Sequence, residues 1–105
     1  MRVLLDECVP RALRSDISAQ DRCRGWLGRR QKNGELLRLA AAEFDVLITV
    51  DRNLEYQQNF EGLSLAVIVI HAPSNDINVL RPLMPEVLAG IPQARPGIVT
   101  HVGEK

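Results

Sequence analysis

The chain has only two cysteines, too few and too poorly placed for the chemistry cysteine usually brings. Cys8 and Cys23 have no second cysteine or histidine at ligand spacing, which excludes a zinc site, and they form no disulfide framework. Both read as free thiols. There is no excess charge of either sign: 13 Lys and Arg balance 13 Asp and Glu. Nothing global therefore marks a nucleic-acid binder, and any such contact must come from a local basic patch. Long apolar runs are missing too. The longest, Leu63 to Ile70, is interrupted by Ser64 and falls far short of the roughly 20 residues that span a bilayer. The stretch Met1-Arg2-Val3-Leu4-Leu5-Asp6 reaches an acid too early for a signal peptide, so cytoplasmic residence without membrane contact is the expectation. Internal repeats and low-complexity tracts are absent.

What is present is ordinary globular composition, 46% hydrophobic and 25% charged over 105 residues, enough for one domain with a modest core. Val3-Leu4-Leu5 is a short unbroken apolar run ending at Asp6-Glu7. Unbroken runs suit strands buried on both faces of a parallel sheet. Pro10 fits the first turn of a helix carrying Ala12, Leu13 and Ile17. Asn33 suits the cap of a second helix, with Leu36, Leu37, Leu39 and Ala40 on its apolar side. Val46 to Val50 is the clearest strand, β-branched and closed by Asp51. A short helical segment is expected around Leu54 to Asn59, and a further buried strand at Leu65 to Ile70, ended by His71. Pro73-Ser74-Asn75-Asp76 is turn and cap material. Ile77, Leu80, Leu83, Val87 and Leu88 follow at helical spacing, and Pro82 and Pro85 predict a kinked or two-part helix. Pro96-Gly97 turns the chain into a last strand, Ile98 to Val102.

Strands alternating with helices in this way predict a doubly wound α/β sheet. Such sheets bring the C-terminal strand ends to one edge, where ligands bind. Asp6 and Asp51 both belong to that edge, and Glu35 lies in the first turn of the helix before the second of them. Carboxylates gathered without basic partners repel each other unless a cation relieves them. Mg²⁺ and Mn²⁺ prefer oxygen ligands and keep several waters, so two or three carboxylates suffice. Such a cation activates water and neutralises charge on an in-line phosphoryl transition state. Blander roles exist for each residue. Asp51 alone also suits a helix cap or turn, and Glu35 also complements a helix dipole. Asp6-Glu7 gains little from capping. His71 and His101 read as hydrogen-bonded structural histidines, and Gln57-Gln58-Asn59 either meets a partner or ends a helix.

One segment, Ser18 to Lys32, has no apolar run fit for a core strand or helix. Arg22, Arg24, Arg29, Arg30 and Lys32 crowd it around Trp26. It reads as a solvated loop, with a phosphate-binding arm on which Trp26 stacks a base as the sharper alternative.

Several stretches together resemble the PIN-like domains, and within them a small bacterial subgroup of toxin-like domains of unknown function. They are Arg2 to Pro10, Asn33 to Leu37, Asp45 to Arg52, Gln57 to Asn59 and the Pro73-Ser74-Asn75 turn, covering most of the chain outside Ser18–Lys32. The resemblance implies a single PIN-like domain over 1–105. Its fold would be a three-layer α/β sandwich around a mostly parallel sheet of four to five strands. It further implies a Mg²⁺- or Mn²⁺-dependent ribonuclease site built from Asp6, Glu35 and Asp51, with Glu7 and Asn53 in the outer shell. A toxin role implies RNA as substrate and a small antitoxin protein as partner. The departure is Ser18–Lys32, where the subgroup has an apolar second strand and a Gly-Trp turn; this chain keeps Gly25-Trp26 without the apolar strand. A natural variant and a local reading-frame disturbance both account for it. A missing or irregular strand would leave the edge of the first strand open, with Trp26 anchoring a homodimer. Two rivals stand beside the nuclease: a non-catalytic PIN-like binding or regulatory module, and a phosphate-accepting receiver-type domain. The second needs a Lys after a late strand, and only Lys105 offers one.

Overall fold

The computed structural model describes residues 2–6, 9–10, 12–13, 22–27, 38, 41–50 and 62–103, with 22–27 as backbone only. Five strands fall within them: β1 (Arg2–Asp6), β2 (Arg22–Leu27), β3 (Val46–Thr49), β4 (Ala66–His71) and β5 (Val99–Gly103). They form one sheet in the order β2-β1-β3-β4-β5, and every neighbouring pair is parallel. The α/β class expected from the alternation is therefore present, with an all-parallel sheet.

The apolar runs explain why these strands sit inside. Val46 to Thr49 is wholly buried, as is β4 from Ala66 to Ile70. Successive side chains leave a strand on opposite faces, and the core divides accordingly. Val3, Leu5, Val46, Ile48, Ile68, Ile70 and Val102 face one cluster, closed by Leu80, Met84, Val87 and Ile91. Leu4, Leu47, Val67 and Val69 face a second, closed by helical Ala41 and by Phe44. Helical residues thus cover both faces. Val9 and Leu13 also join the first cluster, where the Leu13 N–H donates to the Pro10 carbonyl at 3.1 Å.

The proline-rich stretch is segmented as expected. Helix α1 (Ile77–Leu80) passes into a 3-10 turn at Arg81–Leu83, then helix α2 (Met84–Gly90), then a second 3-10 turn at Ile91–Gln93. Each of the last three segments has proline in its first turn, where no backbone N–H is needed. Asp76 caps α1: its carboxylate accepts from the Asn78 N–H at 2.8 Å. Asp76→Ala should lower stability by about 1 kcal/mol, read as a shift in the urea midpoint at unchanged slope.

The reading of Ser18–Lys32 needs correcting. Within it, Arg22–Leu27 is a six-residue strand paired along β1. The irregularity is confined to one point. Val3 pairs with Cys23 and Leu4 with Gly25, so Arg24 is an extra residue between them. Backbone pairing satisfies N–H and C=O groups whatever the side chains are, and an edge strand does not need the two apolar faces of a central one. Glycine beside such a bulge is usual. It follows that β1 has no free edge: among the described strands the outer edges belong to β2 and β5.

At the opposite end from the candidate site, Arg2 and Asp45 clamp β1 to the start of β3. The Arg2 N–H donates to the Asp45 carboxylate at 2.8 Å, the Asp45 N–H returns a bond to the Arg2 carbonyl at 2.8 Å, and the guanidinium lies 3.6 Å from the carboxylate. Chiefly because of that Arg2 backbone bond, the Asp45 carboxyl is held below its ordinary value of 3.8. A depressed carboxyl contributes stability above its unfolded value and loses it as pH falls through the folded one. Both side chains are half-exposed, so the contribution is small. Asp45→Asn should cost about 1 kcal/mol or less near neutral pH, and chemical denaturation well below pH 3.8 should show the difference vanish.

Candidate functional site

The strand order reverses at β1. The chain goes outward from β1 to β2, then returns to the other side of β1 to form β3. In doubly wound sheets the crevice beyond the C-terminal strand ends at such a reversal is where ligands bind. Here the two strands flanking it end in Asp6 and Thr49.

These two residues share a face. Leu4 and Leu47 are register partners, as are Leu5 and Ile48, so one further step sets Asp6 beside Thr49. The Thr49 hydroxyl donates to the Asp6 carboxylate at 2.7 Å. Both side chains are fully buried, the only polar or charged residues among those described that are. A carboxylate placed there without hydrogen bonds would be costly. Its presence at the reversal point is the feature in the described structure that least resembles ordinary core.

The same face carries polar side chains again beyond the apolar Val69. Thr49 pairs with Val69, and Val69 with His101. His71 lies two residues beyond Val69, on the same side. Its Nε2 stands 2.6 Å from His101 Nδ1, with ring centroids 4.8 Å apart and planes tilted by 49°. The reading of both histidines as hydrogen-bonded is correct, but the partner of each is the other. Thirty residues separate them in sequence; only the parallel register of β4 and β5 brings them together. With strands about 4.8 Å apart, three steps put His101 roughly 14 Å from Asp6, and His71 is one strand nearer.

Of the expected acids, Asp6 stands where the sequence put it. Glu35, Asp51, Glu7 and Asn53 lie outside the described residues, as do Gln57 to Asn59 and Lys105. Among the described residues there is no group of three or more metal-ligating side chains, and no helix long and apolar enough to cross a membrane. Thr49 was not singled out in the sequence. Its signal was available: it is the polar residue on the same face as Leu47, at the end of an otherwise apolar strand.

No family model, no curated protein and no solved structure matches this chain.

Proposed function

We propose that the protein is a PIN-like, metal-dependent endoribonuclease acting as the toxin of a toxin–antitoxin pair. The observation that carries this is the buried Asp6 carboxylate, fixed by Thr49 at the point where the strand order reverses. Carboxylate and hydroxyl are hard oxygen donors, the chemistry that suits Mg²⁺ or Mn²⁺ rather than softer metals. Asp6, Glu35 and Asp51 would hold the cation, with Glu7 and Asn53 supporting them. When bound, it supplies an acidified water and positive charge against the phosphodiester. The protein's own part is to hold Asp6 in one position. A central strand fixes its backbone and the Thr49 hydroxyl fixes one of its oxygens.

Supporting this reading are the α/β class, the all-parallel sheet and the helical cover on both faces, all features of a PIN-like three-layer sandwich. RNA is the substrate and a small antitoxin protein the partner. A homodimer built on this sheet would pair through β2 instead of β1, since β2 lies outside β1 among the described strands. The testing experiment is cleavage of single-stranded RNA by the purified chain with Mn²⁺, compared with Asp6→Asn.

A second reading is favoured by one observation, the complete burial of Asp6. A carboxylate sealed against a threonine is also what a non-catalytic module would keep to fix the ends of β1 and β3. Under that reading the chain binds a partner and cleaves nothing.

A further inference from the structure

We propose that His71 and His101 form a second metal site, a two-imidazole chelate for a borderline divalent cation such as Ni²⁺ or Zn²⁺. The inference does not depend on the nuclease reading.

A hydrogen bond between two ring nitrogens requires the lone pair of one to point at the other. The in-plane directions of His71 Nε2 and His101 Nδ1 therefore converge on the space between them, at a separation of 2.6 Å. Stacked rings would send those directions apart; a tilt of 49° does not. Chelation needs those directions to meet at the cation at a tetrahedral angle instead of head-on, so each ring must also pivot by roughly 35°. With metal–nitrogen bonds of about 2.0–2.1 Å and tetrahedral angles, the nitrogens sit about 3.3 Å apart, so the rings must separate by about 0.7 Å. His101 is exposed and His71 partly so.

The proton balance is simple. In the metal-free neutral pair, one proton lies between the two facing nitrogens. In the chelate both of these turn lone pairs to the cation, and each ring carries its proton on the far nitrogen, His71 Nδ1 and His101 Nε2. Binding to the neutral pair is a change of tautomer with no net proton release. The remaining positions go to water.

Two features favour a cation here. His71 ends β4 and His101 lies at the middle of β5, so the parallel ladder fixes both backbones. The Glu86 carboxylate is held at the C-terminal end of β5, accepting from the Gly103 N–H at 3.0 Å, and Gly103 is the register partner of His71. Imidazole selects borderline metals, whereas the oxygen donors near Asp6 select hard ones. The two sites are therefore separable by metal as well as by distance.

The test is calorimetric titration of the full chain with Ni²⁺ and with Zn²⁺, alongside NMR of the imidazole protons. One cation per chain is expected, perturbing the rings of both His71 and His101, with Mg²⁺ unable to compete. Losing only an outer-shell partner typically weakens a metal about 10–100-fold, so removing one of two ligands should do no less. His71→Ala and His101→Ala should each show that loss, with circular dichroism unchanged. Asp6→Asn and the Cys8→Ser/Cys23→Ser double variant should bind as the unaltered chain does. Binding that survives either histidine change would overturn the proposal, as would binding lost with the cysteines or no binding at all.

Discussion

Asp6→Asn is expected to reduce Mn²⁺-dependent cleavage of single-stranded RNA by about a hundredfold or more. A ligand should matter at least as much as the outer-shell groups whose loss weakens metal sites about 10–100-fold. The substitution is nearly isosteric, and the asparagine carbonyl still accepts the Thr49 hydroxyl that now bonds the carboxylate at 2.7 Å. What disappears is the negative charge, and with it the attraction for a hard cation. The substitution leaves the apolar cluster around Leu4 and Leu47 unchanged, so the fold should persist, checked by circular dichroism and a urea curve of unchanged slope. Asp51→Asn should act in the same direction. If cleavage survives either change, the activity belongs to another site or to a contaminant. If the unaltered chain cleaves no RNA with Mn²⁺ or Mg²⁺, the non-catalytic reading takes its place.

The sheet was legible because its strands are unusually explicit. Val46–Ile48 and Ala66–Ile70 are continuous apolar runs, which burial on both faces explains. The segmented helix was legible from Pro82 and Pro85, and its cap from Asp76. β2 was not legible, for a physical reason. An edge strand is held by a backbone ladder that leaves no apolar signature, and Arg24, the bulged residue, breaks whatever period the side chains have. The histidine pair was invisible for a different reason. His71 and His101 meet only because β4 and β5 are parallel and in one particular register, a tertiary fact that neither local sequence contains. Asp6 could be read because its position, directly after a buried strand, is already informative. Its partner Thr49 leaves a weaker signal, a polar residue closing a buried strand, because β propensity alone also accounts for a threonine there.

Thr49→Val is expected to destabilise the protein by about 1–3 kcal/mol, the usual cost of removing one partner from a buried hydrogen bond. Valine matches threonine in shape and keeps the contacts of a fully buried residue, so little of the loss can be assigned to a cavity. The response to Mn²⁺ then separates the two functional readings. A cation that binds the folded chain and not the unfolded one stabilises it by mass action, about 2.7 kcal/mol at a hundredfold excess over its dissociation constant. If Asp6 is a metal ligand, Mn²⁺ should raise the melting temperature of the unaltered chain and of Thr49→Val. It should raise that of Asp6→Asn little or not at all. If the carboxylate only ties β1 to β3, Mn²⁺ should leave all three where they were, and Thr49→Val should stay destabilised at every Mn²⁺ concentration. Running the series in His101→Ala as well keeps the histidine pair from supplying the response. A rise that appears equally in Asp6→Asn would mean that the cation binds elsewhere, and the acidic site at the strand reversal would lose its metal.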